Sequence, residues 1–150
     1  MKTEVRLNLP EIIRGIEKVS GRVIRAFTFD VVDRMKQSFA LPKSGRVYTV
    51  SKTGRKHQAS APGEAPAVLF STLKNSILTS FPKQTEGIIT IGAEYAEALE
   101  KGSERVITTA WGRKLKSPRT VIIKPRPFVR PALDGALDSF NKGGIVGGLL

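Results

Sequence analysis

The chain has 150 residues, no cysteine, a single histidine (His57) and a formal charge of +12. The missing cysteines exclude disulfide scaffolds, thiolate-bound zinc, iron–sulfur clusters and thiol nucleophiles, and one histidine excludes a multi-histidine metal site within one chain. Apolar residues make up 40% of the chain, enough for a compact core. The longest apolar run falls well short of the roughly 18 to 20 residues that span a bilayer. The N-terminus alternates charge with apolar residues (Lys2, Glu4, Val5, Arg6, Leu7) and lacks the apolar segment of a secretory signal. A soluble single-domain protein made inside the cell is the expectation.

The first predicted element is a long amphipathic N-terminal helix. Ile12, Ile16, Val19, Val23, Phe27, Val31, Met35 and Phe39 recur in steps of three or four, and Pro42 ends the run. Asn8 suits the N-cap, with Pro10 and Glu11 in the first turn. A stripe of this length exceeds the needs of one small domain, so the helix bends or part of it packs on another chain.

Residues 43–67 carry no long periodicity. Val47 to Val50 reads as a strand, Lys52-Thr53-Gly54-Arg55 as a turn, and a weaker return strand follows. Pro62, Gly63 and Pro66 then exclude helix and central strand. The segment reads as a long, extended basic loop, an arm suited to reaching a neighbour. A short helix is predicted over 71–79, with Leu73, Ile77 and Leu78 inward and Ser71 as its cap. Glu86 to Gly92 reads as a strand, and Ala93 to Lys101 as a helix closed by Gly102. Glu104–Trp111 and Arg119–Lys124 are β-rich runs joined by a basic loop, 112–118. Pro125 and Pro127 precede a last helix over 128–141, with Phe128, Ala132, Leu133, Leu137 and Phe140 on its apolar face. The fold class expected is α+β, a small antiparallel sheet flanked by helices. Residues 1–142 form the domain, and 143–150 (GGIVGGLL) a flexible apolar tail.

Charge is concentrated in two blocks. Residues 34–63 hold seven basic side chains and no acidic one, and residues 105–130 hold eight and none. Between them, residues 64–104 hold six acidic and three basic side chains. Polyanion contact is one reading of the basic blocks; a solvated face, or a surface that meets an acidic partner, is the other. Apart from Phe39 and Phe128, which belong to the predicted apolar helix faces, only Tyr48 and Trp111 bring aromatic rings into the blocks, fewer than single-strand stacking platforms use.

No catalytic, metal or cofactor site is expected. His57 lies between Lys56 and Gln58, with no acid in sequence until Glu64 to orient it. Glu94, Glu97, Glu100 and Glu104 gather on one helix and its exit. They read as an exposed acidic face for the basic surface of the next copy rather than as a Mg²⁺ or acid–base pair. Arg126 and Arg130 flank a proline-fixed turn, where structural contacts are commoner than phosphate binding.

Several short motifs follow one another in a recognisable order: Ser44-Gly45-Arg46-x-Tyr48; His57-Gln58-Ala59-Ser60-Ala61-Pro62-Gly63-Glu64-x-Pro66-Ala67; Leu73-x-x-Ser76-Ile77; Tyr95-Ala96 with Leu99-Glu100-x-Gly102-Ser103; and Arg126-Pro127-Phe128-Val129-Arg130-Pro131-Ala132-Leu133. This set, spanning about residues 44–140, resembles the tail-completion, or head–tail joining, family of long-tailed phages and prophages. The family commonly carries Asp-Thr-Gly where this chain has Leu69, Phe70 and Ser71, and the GGIVGGLL tail lies outside the pattern. The resemblance implies a structural virion protein without catalysis or cofactor, made in the bacterial cytoplasm. It implies a hexameric ring at the neck, about six copies between the head connector or stopper and the tail tube or its terminator, around the DNA channel. Contacts to itself or a partner would come from the arm, at Arg46, Tyr48, Arg55, His57, Gln58, Pro62, Glu64 and Pro66. Arg113, Lys114, Lys116 and Arg119 would face channel DNA, without reading its sequence, or an acidic partner. Arg126, Pro127, Phe128, Arg130 and Pro131 would form a structural motif. The alternative is a basic nucleic-acid-binding protein without catalysis, carried by charge alone; an enzyme using His57 or the glutamates ranks third.

Overall fold

The computed structural model describes residues 3–7, 21–51, 53–69, 71–110 and 112–143. Among these residues the elements follow in the order β1 (Thr3–Leu7), α1 (Gly21–Ala40), β2 (Val47–Thr49), β3 (Lys56–Gln58), α2 (Thr72–Asn75), β4 (Ile77–Lys83), β5 (Glu86–Ile91), α3 (Ala96–Lys101), β6 (Ser103–Ala110), β7 (Arg113–Ile123) and α4 (Val129–Asn141). The fold is α+β. Strands β1, β5 and β4 form one antiparallel sheet in that order, and β2–β3 and β6–β7 are separate two-stranded ribbons.

The core lies between the three-stranded sheet and the two long helices. Strand β5 alternates: Gly87, Ile89 and Ile91 are buried, and Ile88 and Thr90 between them are half-buried. On α1 the helical period brings Phe27, Val31, Met35 and Phe39 onto the same core, joined by Ile24, Thr28 and Val32. Helix α4 supplies Ala132 and Ala136, small enough for close helix contact, with Leu133, Leu137 and Phe140 at the margin. Phe27 meets Phe140 edge-on at 5.9 Å, and Phe39 tilts against Phe128 at 5.3 Å. Glycine is required at position 87, because a Cβ there would run into the Thr28 hydroxyl, which donates to the Ile24 carbonyl at 2.7 Å.

Several sequence expectations change. The N-terminal helix is present from Gly21 to Ala40; its expected portion over residues 8–20 lies outside the described residues, as does the 144–150 tail. Within α1 the buried position is Ile24, with Val23 half-buried. The N-terminal alternation itself is a strand, Thr3 to Leu7, paired with β5. The helix expected over 71–79 is a single turn, and Ile77 already begins β4. Spacing of Leu73 and Ile77 by four is helical, yet Ile77, Thr79 and Phe81 alternate inward, and the strand period wins. Leu78 consequently points out, 63% exposed. Ser71 is left-handed (φ 57°) and makes no capping bond from its side chain. Helix α3 starts at Ala96, leaving Tyr95 exposed before it.

The largest difference is in the second basic block. The segment expected as a basic loop, 112–118, is most of strand β7. The strands reverse between Ala110 and Arg113, which pair with each other, and Gly112 lies at φ 75°. Pro118, which lacks an N–H, falls in a register shift: Ile107 faces Arg119 and Thr109 faces Lys114, so 115–118 bulge out of the ladder.

Candidate functional site

Residues of four of the five motifs meet at one junction at the base of the two ribbons. Glu100, at the end of α3, places its carboxylate against the first turn of α4. It accepts hydrogen bonds from the backbone N–H groups of Phe128 (2.8 Å), Val129 (3.0 Å) and Arg130 (2.9 Å). These are orphan donors of a helix start, and an anion there also meets the positive end of the helix dipole. Arg126 ties in the preceding turn: its N–H donates to the Leu99 carbonyl at 2.6 Å and its Nε to the Ser60 carbonyl at 3.2 Å. The Gly63 N–H donates to the Pro125 carbonyl at 2.9 Å.

Glu64 organises the other side. Its carboxylate accepts from the Ser44 hydroxyl, from the Ser44 N–H at 3.1 Å and from the Ala61 N–H at 2.8 Å. The Ser44 hydroxyl bond, then the two backbone bonds, hold the Glu64 carboxyl below the usual carboxylate range. Lys43 beside it donates to the Ser38 carbonyl, and partial burial lowers its pKa. Gly45 sits in the crease: a Cβ would be driven into the Ala59 carbonyl and the Ser60 backbone.

From this junction the residues named from sequence separate into anchored and free sets. Pro66 is buried, and Glu64, Arg126, Pro127 and Phe128 belong to the junction. Phe128 is 1% exposed. Arg130 pairs on the surface with Asp134, one helical turn on, at 3.1 Å, and Pro131 is exposed in the same turn. Arg46, Tyr48, Arg55 and Gln58 are exposed on the β2–β3 ribbon or its turn, and Pro62 is exposed beyond it. His57 is half-buried opposite Tyr48, ring to ring at 5.3 Å. Arg113, Lys114, Lys116 and Arg119 are all exposed on β7.

The β6–β7 ribbon stands apart. None of its described residues is buried, and neither strand pairs with a third. Its register puts Arg105 opposite Val121 and Arg119 opposite Ile107 on one face, where the isoleucine and valine are half-buried. The other face is open, with Val106 64% and Ile122 65% exposed. An isolated two-stranded hairpin is marginal in water.

Three of the six acidic side chains of residues 64–104 are engaged within the chain. Glu64 and Glu100 bind backbone, and Glu97 pairs with Lys101 at 3.0 Å. Of the expected carboxylate cluster, Glu94 and Glu104 are exposed and form no ion pair with a described residue. Sequence reading missed the roles of Glu100, Ser44 and Ser60. A signal for Glu100 existed, its place in Leu-Glu-x-Gly at the end of a helix ahead of Arg-Pro-Phe, but its partner is a backbone that composition does not show.

Two shallow clefts border the junction. One, about 150 Å³, is walled by Pro66, Val68, Leu69, Leu73, Tyr95 and Leu99. The other, about 280 Å³, lies between Leu41, Pro42, Glu64, Phe128 and Pro131. Neither pairs a nucleophile with a base, and His57 lines neither. No group of three or more His, Asp or Glu among the described residues is placed to hold a metal ion. No described helix is long and apolar enough to cross a membrane. Compared with known proteins, the chain matches no family model, no curated protein and no solved structure.

Proposed function

We propose that the chain is a structural virion protein of a phage neck, a ring-forming tail-completion protein that joins the tail tube to the head connector around the DNA channel. The observation that carries the reading is the ordered motif set, together with what its residues do. Ser44, Ser60, Glu64, Leu99, Glu100, Arg126 and Phe128 all meet at one junction by hydrogen bonds or packing. Such a cluster sets the direction of two projecting ribbons.

Identical copies in a closed ring use a heterologous interface, one surface against a different one. The β2–β3 ribbon, with exposed Arg46, Tyr48, Arg55 and Gln58, supplies a projecting surface for a neighbouring copy or the tail or head partner. About six copies and a location at the head–tail joint complete the proposal. The second reading, a basic nucleic-acid-binding protein without catalysis, is favoured by the exposure of the second basic block on a free-standing ribbon.

Deleting the gene in its parent phage or prophage and imaging the induced lysate tests the neck reading. Filled heads beside separate, finished tails are expected. Intact infectious particles would reject it.

A further inference from the structure

We infer that the β6–β7 ribbon is a binding site for the phosphate backbone of duplex DNA, without sequence readout. The ribbon's strands and exit carry six exposed cations, Arg105, Arg113, Lys114, Lys116, Arg119 and Lys124, against one acid, Glu104 at its base. None forms an ion pair with a described carboxylate. The base is tied to the junction through the Pro125 carbonyl, which accepts from the Gly63 N–H, and charge accumulates towards the free end, where Arg113, Lys114 and Lys116 crowd around the turn and bulge. Arg105, Arg119 and Lys114 fall on one face at successive cross-strand steps, about 7 Å apart. Thr108, Thr109, Ser117 and Thr120 add hydroxyls, which also donate to phosphate. A two-stranded ribbon is of a width that the DNA major groove admits.

A second copy of the chain is the poorer complement. Its glutamates 64, 97 and 100 and its aspartates 30 and 134 are already engaged within the chain. Among the described residues, the acids left exposed and without an ion-pair partner, Asp33, Glu94, Glu104 and Asp138, are dispersed over α1, the α3 approach, β6 and α4. Duplex DNA presents a continuous line of charge instead. In the neck the duplex would be the genome in transit, so the physiological role rests on the proposed function; the binding itself does not.

The test is fluorescence anisotropy of the purified full chain with a labelled duplex of mixed sequence, titrated with salt, beside a polyglutamate competitor. Binding that weakens linearly on a log–log salt plot is expected. The triple variant Lys114→Gln, Lys116→Gln, Arg119→Gln should weaken it more than 10-fold and lower the salt slope by about 2 to 3. Arg46→Gln with Arg55→Gln, on the other ribbon, should change it little. Unaltered circular dichroism and melting of the triple variant confirm that folding is not the cause. Should the triple variant unfold, Lys116→Gln alone is read for a slope change of about 1. Absent binding at low salt, an unchanged slope, or competition by polyglutamate as strong as by DNA would overturn the inference, the last in favour of an acidic protein partner. Because this assay uses no virion, its failure and that of the neck reading are separable.

Discussion

The backbone N–H of Phe128 donates to the Glu100 carboxylate at 2.8 Å, so the end of one helix caps the start of another 28 positions away. Phe128 itself points the other way, buried against Phe39. One residue therefore joins the core to the junction that carries both ribbons. Removing the cap leaves three donors of α4 to compete for water. Glu100→Ala should lower stability by about 1 to 3 kcal/mol, read as a reduced urea midpoint with an unchanged slope. An unaltered midpoint would show that the carboxylate adds nothing net.

The ring of Phe128 carries more. Phe128→Ala empties a site that Phe39 and α1 cannot collapse to fill, at a cost of about 3 to 5 kcal/mol. Denaturant unfolding measures it. A loss under 1 kcal/mol, well below the usual range, would mean the site relaxes.

Acid should loosen the Glu64 tie before it unfolds the core. Hydrogen bonds from Ser44 and Ala61 depress the Glu64 pKa in the folded chain. The stability it contributes is fully present above the ordinary glutamate pKa and is lost as pH falls through the lower folded value. Glu64→Gln should therefore lower stability most at neutral pH and little in acid, which flattens the acid side of the stability–pH curve. NMR shifts of Ser44 and Ala61 against pH give the same titration. A wild-type curve unchanged by the substitution would refute the assignment.

The arm divides at this tie. Gly63, Glu64 and Pro66 hold to the body, whereas the ribbon between Arg46 and Gln58 is largely exposed. Replacing 46–58 with a short Gly-Ser turn should preserve melting within a few degrees, as expected when little core is lost, and abolish incorporation into particles. Normal incorporation would remove the ribbon from the assembly surface. Gly45→Ala, which presses on the Ala59 carbonyl, should free the arm and speed tryptic cleavage after Arg55 and Lys56.

Much of this was legible in the residues. The stripe through Phe27, Val31, Met35 and Phe39 marks the core face of α1, and EGIITIG marks β5, because period and burial agree there. Strand β4 was hidden because Leu73 and Ile77 fit both periods. The first half of strand β7 was hidden because Arg113, Lys114 and Lys116 beside Ser117 and Pro118 look like loop, and a segment with no buried residue shows no clear apolar alternation. At the junction, Glu100 and Glu64 read as surface acids because their partners are backbone amides, which no side-chain pattern records. The β2–β3 turn was readable, since Thr53 and Gly54 close onto Val50 as a glycine turn between short strands would.

The head–tail joint is the central claim, and the most direct measurement is the position of the protein in finished particles. Purified virions whose copy of this chain carries a compact tag on an exposed site, such as Gly54, can be imaged with a gold-labelled binder to that tag. The account predicts one cluster of label at the junction of head and tail. Label along the tail, over the capsid, or absent from intact particles would contradict it.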